Sequence, residues 1–332
     1  MRVAACVLAL AAAVCASSSR AASRGGCPRA AVLGTASFVR AGRIHTISLA
    51  TCVDHVTGRA ARPRTAPPLR SPDGRLVATI RSTGFGRSAK QTIWVTDRHT
   101  GRSRPVAAET QYYTQIGPGD TPGPVVLLRF SDDDRWVFFT VDPGGSGSIA
   151  ADGLVLRVVS TAGGAVHKLG VALAYPDYLA WCRGRLVYVA GGDRVAAHAK
   201  RLLAASPPDW RPRPAWNDRA RSFGSLACHG ATLAVLSQPS SDNPSFFSTR
   251  WQLWHVSADG SRREVDVPPA GWADGSPQWS RDGRSLLFVR ERNGHGRLML
   301  WHKGRVFGPI ANLGFNPGFY GHHDWAVRWS AA

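Results

Sequence analysis

The feature that most constrains the fold is a five-residue turn that recurs along the chain, each time followed by an apolar stretch of strand length. Its clearest copies read SPDGR at residues 71–75, SDDDR at 131–135 and SRDGR at 280–284. Proline presets φ at the second position of a turn, aspartate bonds nearby backbone, and glycine accepts positive φ. The motif therefore predicts a tight hairpin between two antiparallel strands.

Eroded copies of the same turn complete a set of six. Cysteine replaces serine in two of them, and the last copy is cut short by the end of the chain. The six equivalent positions are Ser71, Ser131, Cys182, Cys228, Ser280 and Ser330. They lie roughly 50 residues apart, an interval that holds four strands of about five to six residues and their turns.

A four-stranded unit repeated in this way is typical of a β-propeller blade, whose two apolar faces are buried only when neighbouring blades stack. Residues 36–40 and 44–49 look like second and third strands without a first strand, and residues 325–330 look like a first strand with nothing after it. We therefore expect an all-β fold, a six-bladed β-propeller closed by pairing of the C-terminal strand with the N-terminal blade. Two stacked β-sandwiches are the alternative.

The N-terminus is typical of a secretory signal peptide. Arg2 precedes an apolar run at residues 3–14, and small residues follow up to Ala22. The run is shorter than the about 20 residues that a membrane span requires. We expect a signal peptide at 1–22 and the propeller at 23–332, a secreted or extracytoplasmic location, and no integral membrane segment. A short membrane anchor and a lipid anchor at Cys15 are the alternatives.

Export implies an oxidising compartment, in which cysteines pair. Cleavage after residue 22 leaves Cys27, Cys52, Cys182 and Cys228, which allow three pairings. We favour Cys27–Cys52, because these residues flank the first hairpin. We favour Cys182–Cys228, because these residues occupy equivalent points of consecutive blades.

The net charge of the precursor is +19 at pH 7, which favours anionic polymers or membrane surfaces as partners. Nearly all the basic residues are arginines, and they are scattered along the chain rather than clustered. No nucleic-acid-binding motif accompanies them, so nucleic acid is not expected as a partner.

The repeat resembles that of TolB-type propellers. The resemblance lies in the turn at 71–75, the strand after it, and the strand QTIWVTD at 91–97 followed by Thr100-Gly101. The run YGHHDW at 320–325 is similar to the approach to the closing strand in secreted members of that family. The resemblance implies a six-bladed ring, in the periplasm or outside the cell, that makes protein contacts. Unlike the TolB of the Tol–Pal system, the chain is expected to lack an α/β domain before the propeller.

The sequence lacks the common catalytic motifs. It contains no G-x-S-x-G, no H-E-x-x-H and no P-loop. The best constellation is His322, His323 and Asp324, which would lie near the mouth of the central channel and offers imidazole and carboxylate ligands to a divalent metal. The alternative is a hydrogen-bonded loop that fixes the closing strand.

Two loops carry the aromatic and arginine side chains that are favoured in binding patches. The ligand-binding candidates are Trp210, Arg211, Arg213, Trp216, Tyr112 and Tyr113. The alternative for Trp210 and Trp216 is that they cap the edges of blades.

The sequence therefore predicts an exported, monomeric, non-enzymatic binding or scaffold protein, and no cofactor. Its partner would be a protein or an anionic polymer of the cell envelope. The alternative is a metal-dependent lyase or hydrolase that acts on a polyanionic saccharide from the propeller channel, with a divalent metal at the channel mouth.

Overall fold

The computed structural model describes residues 26–27, 34–60, 68–84, 90–110, 125–141, 153–241 and 250–330. This part of the chain is all-β, apart from one 3-10 turn at Pro176–Tyr178. It forms six four-stranded antiparallel sheets, the architecture predicted for a six-bladed propeller. The predicted signal peptide and the loop with Tyr112 and Tyr113 lie outside the described residues. No helix in the described ranges has the length and apolar character needed to cross a membrane.

The sheets are numbered I to VI along the chain, and the strands of each follow in their spatial order. Sheet I contains β24 (Arg328–Ser330), β1 (Thr35–Arg40), β2 (Arg43–Ser48) and β3 (Asp54–Arg59). Sheet II contains β4 (Leu69–Arg70), β5 (Leu76–Thr83), β6 (Lys90–Asp97) and β7 (Ser103–Thr110). Sheet III contains β8 (Val125–Phe130), β9 (Trp136–Val141), β10 (Leu154–Ser160) and β11 (His167–Ala172).

The second half of the chain follows the same order. Sheet IV contains β12 (Leu179–Cys182), β13 (Arg185–Ala190), β14 (Arg201–Ala205) and β15 (Arg213–Trp216). Sheet V contains β16 (Arg221–His229), β17 (Thr232–Pro239), β18 (Gln252–Val256) and β19 (Arg262–Glu264). Sheet VI contains β20 (Ala273–Trp279), β21 (Ser285–Arg292), β22 (His295–His302) and β23 (Arg305–Phe315).

The repeated turn forms the hairpin between the first two strands of a sheet. In sheet II the Ser71 hydroxyl donates to Asp73 Oδ1 at 2.6 Å and accepts from the backbone N–H of Leu76 at 2.9 Å. The same bonds recur in the turns at 131–135 and 280–284. Serine and aspartate therefore fix the turn by local hydrogen bonds, which explains why the motif recurs.

The core lies between neighbouring sheets. One apolar cluster joins sheets III, IV and V, for example through Phe138, Tyr188 and Phe223. Another joins sheets I and VI, where Phe38 and Leu298 are both buried. Two more join sheets II and III and sheets V and VI. Contacts between β4 and β8, β12 and β16, and β16 and β20 place the first strands innermost. Apolar clusters thus join the sheets in sequence from II to VI, and VI to I.

The two ends of the chain meet in sheet I. Strand β24 pairs antiparallel with β1, with Thr35 opposite Ser330, Ala36 opposite Trp329 and Ser37 opposite Arg328. The C-terminal strand is therefore the first strand of a sheet whose other three strands come from the N-terminal part.

Both predicted disulfide pairings are confirmed. Cys27 and Cys52 are bonded, with Cα atoms 5.8 Å apart. Cys182 and Cys228 are bonded, with Cα atoms 5.5 Å apart. The second bond joins the ends of β12 and β16, and so links the inner strands of sheets IV and V.

Candidate functional site

The connections between strands divide between two faces of the molecule. Because the strands are antiparallel, the turns after the first and third strands of each sheet lie at one end, which we call the turn face. The connections between second and third strands, and between sheets, lie at the other end, the crossover face. Each face carries one group of candidate residues.

On the crossover face, residues 316–327, which we call the C-terminal strap, lie across three sheets. Phe319 and His322 exchange two backbone hydrogen bonds, of 2.7 and 2.9 Å, around a two-residue turn with positive φ at both positions. The carbonyl of Tyr320 accepts from the N–H of Ala196 in sheet IV. The indole of Trp251, before β18 of sheet V, donates to the carbonyl of Gly321 at 3.3 Å. These bonds fix the strap before it enters sheet I.

His322 attaches the strap to sheet IV. Its Nε2 lies 3.0 Å from both carboxylate oxygens of Asp177, and its buried ring stacks on Tyr175 with centroids 3.7 Å apart. Burial disfavours the charged imidazole, but the Asp177 carboxylate outweighs it, so the pKa of His322 is raised. Burial likewise opposes the charge of Asp177, yet the bonds from His322 and Ser225 lower the pKa of its carboxyl. The two side chains form an ion pair in which His322 is buried and Asp177 is partly exposed.

Ser225, His322 and Asp177 do not form a catalytic triad. Its hydroxyl donates to Asp177 Oδ2 at 2.5 Å, so the carboxylate lies between serine and imidazole. In a Ser-His-Asp triad the imidazole contacts the hydroxyl and removes its proton. In this protein the carboxylate of Asp177 instead links the other two side chains. The three residues come from different elements, since Ser225 is on β16, Asp177 precedes β12 and His322 is on the strap, so the hydrogen bonds connect these elements.

The structure does not bring the three candidate metal ligands together. His323 turns to sheet VI, where its Nδ1 lies 2.5 Å from Glu291 Oε1. Asp324 is exposed, and its Oδ1 accepts from the N–H of Ala326 at 2.8 Å. Successive side chains of an extended segment point to opposite sides, which separates His322 from His323. Over the described ranges, no group of three His, Cys, Asp or Glu side chains is arranged to hold a metal ion.

Beneath the strap lies a small cavity of about 10 Å³, room for about one water molecule. Its lining residues are Tyr178, Ser225, Leu236, Trp251, Asp274, Gly275, Glu291, Gly321, His322 and His323. Burial raises the pKa of the Asp274 carboxyl to about 6, although Arg290 donates to it at 2.9 Å. The polar side chains that line this cavity are therefore bonded mostly to one another.

Sequence reasoning missed Asp177, Ser225, Glu291 and Asp274. Asp177 and its partner His322 are 145 residues apart in the chain, so no local pattern relates them. A signal existed for Glu291, because it is one of only three glutamates and follows an apolar strand. A charged residue at the end of such a strand points to a partner near the core.

On the turn face, the candidate tryptophans lie in the core. Trp210 follows β14 and is 2% exposed, with its ring 4.8 Å from that of Trp136 in sheet III. Trp216, on β15, is 6% exposed and packs edge-on against Trp254 of sheet V at 5.5 Å. Each tryptophan thus joins sheet IV to a neighbouring sheet, as in the alternative in which they cap blades. Neither presents its ring to a ligand.

The candidate arginines lie on the surface of the same loop. Arg211 and Arg213 are exposed and, with Arg185 from the start of β13, line an open depression of about 470 Å³. The other lining residues are Ala204, Ala205, Ser206, Pro207, Asp209, Pro214 and Ala215. Within the described part of the chain, none of the three guanidinium groups has a hydrogen bond or ion pair. With three arginines and one aspartate, the lining of the depression carries a net positive charge.

Scans against protein-family models and against curated proteins find no match for the sequence. Among solved structures, TolB from Acinetobacter baumannii is similar at 12% identity, with 83% of this chain and 63% of that chain covered and a TM-score of 0.46. Putative TolB from Agrobacterium tumefaciens is similar at 14% identity, with 90% and 98% covered and a TM-score of 0.46. The chain is similar in fold to TolB-like propellers.

An acylaminoacyl peptidase in complex with Z-Gly-Gly-Phe-chloromethyl ketone is also similar. The identity is 14%, 79% of this chain and 40% of that chain are covered, and the TM-score is 0.46. The chain thus spans less than two thirds of the length of this peptidase and of the Acinetobacter TolB. At these identities the similarity concerns the fold alone.

Proposed function

We propose that this protein is an exported, non-enzymatic propeller that binds an acidic macromolecule on its turn face. The observation that carries the proposal is the depression lined by Arg185, Arg211 and Arg213, whose guanidinium groups have no partner within the described residues. Guanidinium forks bind carboxylate, sulfate and phosphate groups in a bidentate manner. The excess of basic over acidic residues in the chain would speed the encounter with such a partner.

The loop that carries Arg211 and Arg213 has a fixed backbone. Trp210 anchors it in the core, and its backbone N–H donates to the carbonyl of Ser206 at 2.8 Å. Prolines at 207, 208, 212 and 214 restrict the chain on both sides of this anchor. Side chains on a rigid loop lose less entropy when a ligand binds, which supports a recognition role.

The contacts of the C-terminal strap support a structural role for its histidines rather than a catalytic one. His322 and His323 are each held by a carboxylate, and Ser225 is bonded to Asp177. We infer that the strap fixes the C-terminal strand and that the six sheets close into a ring through β24. Two disulfides support a location outside the cytoplasm. We take the protein to act as a monomer.

The proposal is tested with two triple variants that remove the same charge from the same face. R185Q/R211Q/R213Q removes the arginines of the depression. R102Q/R135Q/R305Q removes three exposed arginines at turns of sheets II, III and VI, none of which has a side-chain partner among the described residues.

The probes are poly-L-glutamate and dextran sulfate, immobilised and measured by biolayer interferometry at 150 mM salt. We expect the first variant to lose about tenfold or more in affinity for at least one probe, and the second to lose much less. Equal losses in the two variants would show that only net charge matters. No binding of either probe by the wild type would remove the proposal.

A further inference from the structure

We propose that the arginine-lined depression selects an anionic polysaccharide over an acidic polypeptide. This inference rests on the proposed function, since it names the class of macromolecule that the turn face binds. It is carried by three properties of the residues around Arg185, Arg211 and Arg213: the kind of charge they offer, the backbone donors that the loop lacks, and the position of its tryptophans.

The depression offers three guanidinium groups to a chain that carries several oxyanions. Three guanidinium groups line it, and each can take one carboxylate, sulfate or phosphate group through two parallel hydrogen bonds. A polysaccharide with an anionic group on every residue or every second residue carries several such groups along one chain. The oxyanion chemistry is the same whether the group is a uronate or a sulfate ester.

The nearest sheet edge is poorly suited to an extended peptide. Strand β15 is the outermost strand of sheet IV, where a peptide would add by main-chain hydrogen bonds. Pro214 lies within β15 and has no N–H, and a proline in an edge strand turns its nitrogen to the open side. Pro212, directly before the strand, offers no donor either. A polysaccharide needs no such main-chain pairing.

Protein interfaces also depend on aromatic anchors, and the loop presents none. Trp210 and Trp216, its two aromatic residues, are 2% and 6% exposed. The apolar part of the lining consists of alanine and proline. Protein hot spots are enriched in exposed tryptophan, tyrosine and arginine that fill pockets of the partner. Of these only arginine remains in the loop, so charge dominates recognition.

Asp209 adds a discriminating contact. It is exposed, it is the one acidic residue among those that line the depression, and it has no partner within the described ranges. A carboxylate repels the anionic groups of either ligand, but it accepts hydrogen bonds from sugar hydroxyl groups, whereas the side chains of polyglutamate offer no donor to offset the repulsion. An acid among three arginines therefore favours a ligand that carries both hydroxyl donors and anionic groups.

The test uses isothermal titration calorimetry with soluble probes of matched length. Alginate hexasaccharide and hexa-L-glutamate each carry one carboxylate per residue, a heparin-derived hexasaccharide carries both carboxylates and sulfates, and maltohexaose is neutral. We expect at least one anionic hexasaccharide to bind about tenfold or more tightly than hexa-L-glutamate. That affinity should fall about tenfold or more in R185Q/R211Q/R213Q and much less in R102Q/R135Q/R305Q.

The variant D209A separates the two classes of ligand without changing the arginines. We expect it to bind the anionic hexasaccharide more weakly and hexa-L-glutamate more tightly than the wild type does. If hexa-L-glutamate binds as tightly as the glycans, with the same dependence on the three arginines, the choice of a polysaccharide is wrong while the proposed function stands. If no acidic probe binds, both proposals fail.

Discussion

Asp177 holds His322 by both of its carboxylate oxygens, each 3.0 Å from the imidazole Nε2. One partner precedes the first strand of sheet IV, and the other lies on the strap that leads into the last strand of the chain. The ion pair therefore connects sheet IV to the strap that leads into β24, the first strand of sheet I. Its charge makes this connection sensitive to pH.

The stability that the pair contributes should depend on pH in a defined window. The pKa of His322 is raised from 6.5, so its contribution is complete below about pH 6.5 and is lost as pH rises through the folded-state pKa. The pKa of Asp177 is lowered from 3.8, so its contribution is present above about pH 4 and is lost as pH falls through the folded-state pKa. The coupling should be largest near pH 5 to 6.

A double-mutant cycle of H322Q, D177N and the double variant measures this coupling by urea unfolding at pH 5.5 and pH 9.5. We expect a coupling free energy of about 1–3 kcal/mol at pH 5.5 and much less at pH 9.5. A coupling that is the same at both pH values would mean that the neutral hydrogen bond, rather than the ion pair, stabilises the strap.

Local patterns in the sequence predict those parts of the fold whose partners are local. The turn at 71–75 depends on Ser71 and Asp73, which bond within the motif, so its repetition is enough to count the sheets. The bond between Cys182 and Cys228 is predictable because the repeat places both at the same point of consecutive sheets.

The candidate site is less accessible to sequence reasoning. Trp210 looks the same in the sequence whether it caps a core or faces a ligand, because its burial depends on Trp136 of another sheet. The partner of His323 is Glu291, on β21 of sheet VI, and the partner of His322 is on sheet IV. Only the three-dimensional arrangement of the sheets reveals that these adjacent histidines bond to different sheets.

Asp134 is a site where a substitution should stabilise the protein. It occupies the turn position that Gly74 and Gly283 hold elsewhere, with φ of 58°. Burial, together with the neighbouring Asp73, raises the pKa of its carboxyl to about 6. An acid whose folded-state pKa is raised loses stability as pH increases from about 4 to about 6, because ionisation is less favourable in the folded state.

We therefore expect D134N to raise the free energy of unfolding at pH 7 by about 1 kcal/mol, a modest value because solvent screens this partly exposed group. D134G should add the relief of the positive φ. Guanidinium unfolding at pH 4 and pH 7 checks both. D259N is the control of opposite sign, since the pKa of Asp259 is lowered by hydrogen bonds from Ser261, and it should destabilise at pH 7. An unchanged pH dependence in D134N would contradict the assignment.

Chelation tests whether the strap needs a metal ion. Because His322 and His323 are bonded to Asp177 and Glu291, their imidazoles are already held without one. We expect the thermal midpoint to be the same with and without 5 mM EDTA, and elemental analysis of the purified protein to find no stoichiometric divalent metal. A drop of several degrees in EDTA, or a bound equivalent of metal, would revive the metal-dependent alternative.

Trp210 should couple the stability of sheet IV to binding on the turn face. Its ring contacts Trp136 and Phe138 of sheet III, while its backbone holds the loop that presents Arg211 and Arg213. Its indole N–H is buried without a hydrogen-bond partner, so a phenylalanine would lose some packing but would leave no polar group unsatisfied. We expect W210A to lose about 3–5 kcal/mol of unfolding free energy and W210F considerably less.

In W210F, which keeps all three arginines, the affinity for the anionic probe should still fall several-fold, because the loop is less rigid. Calorimetric titration together with urea unfolding separates the two effects. A W210F protein that is destabilised but binds the probe as the wild type does would show that the loop needs no anchor.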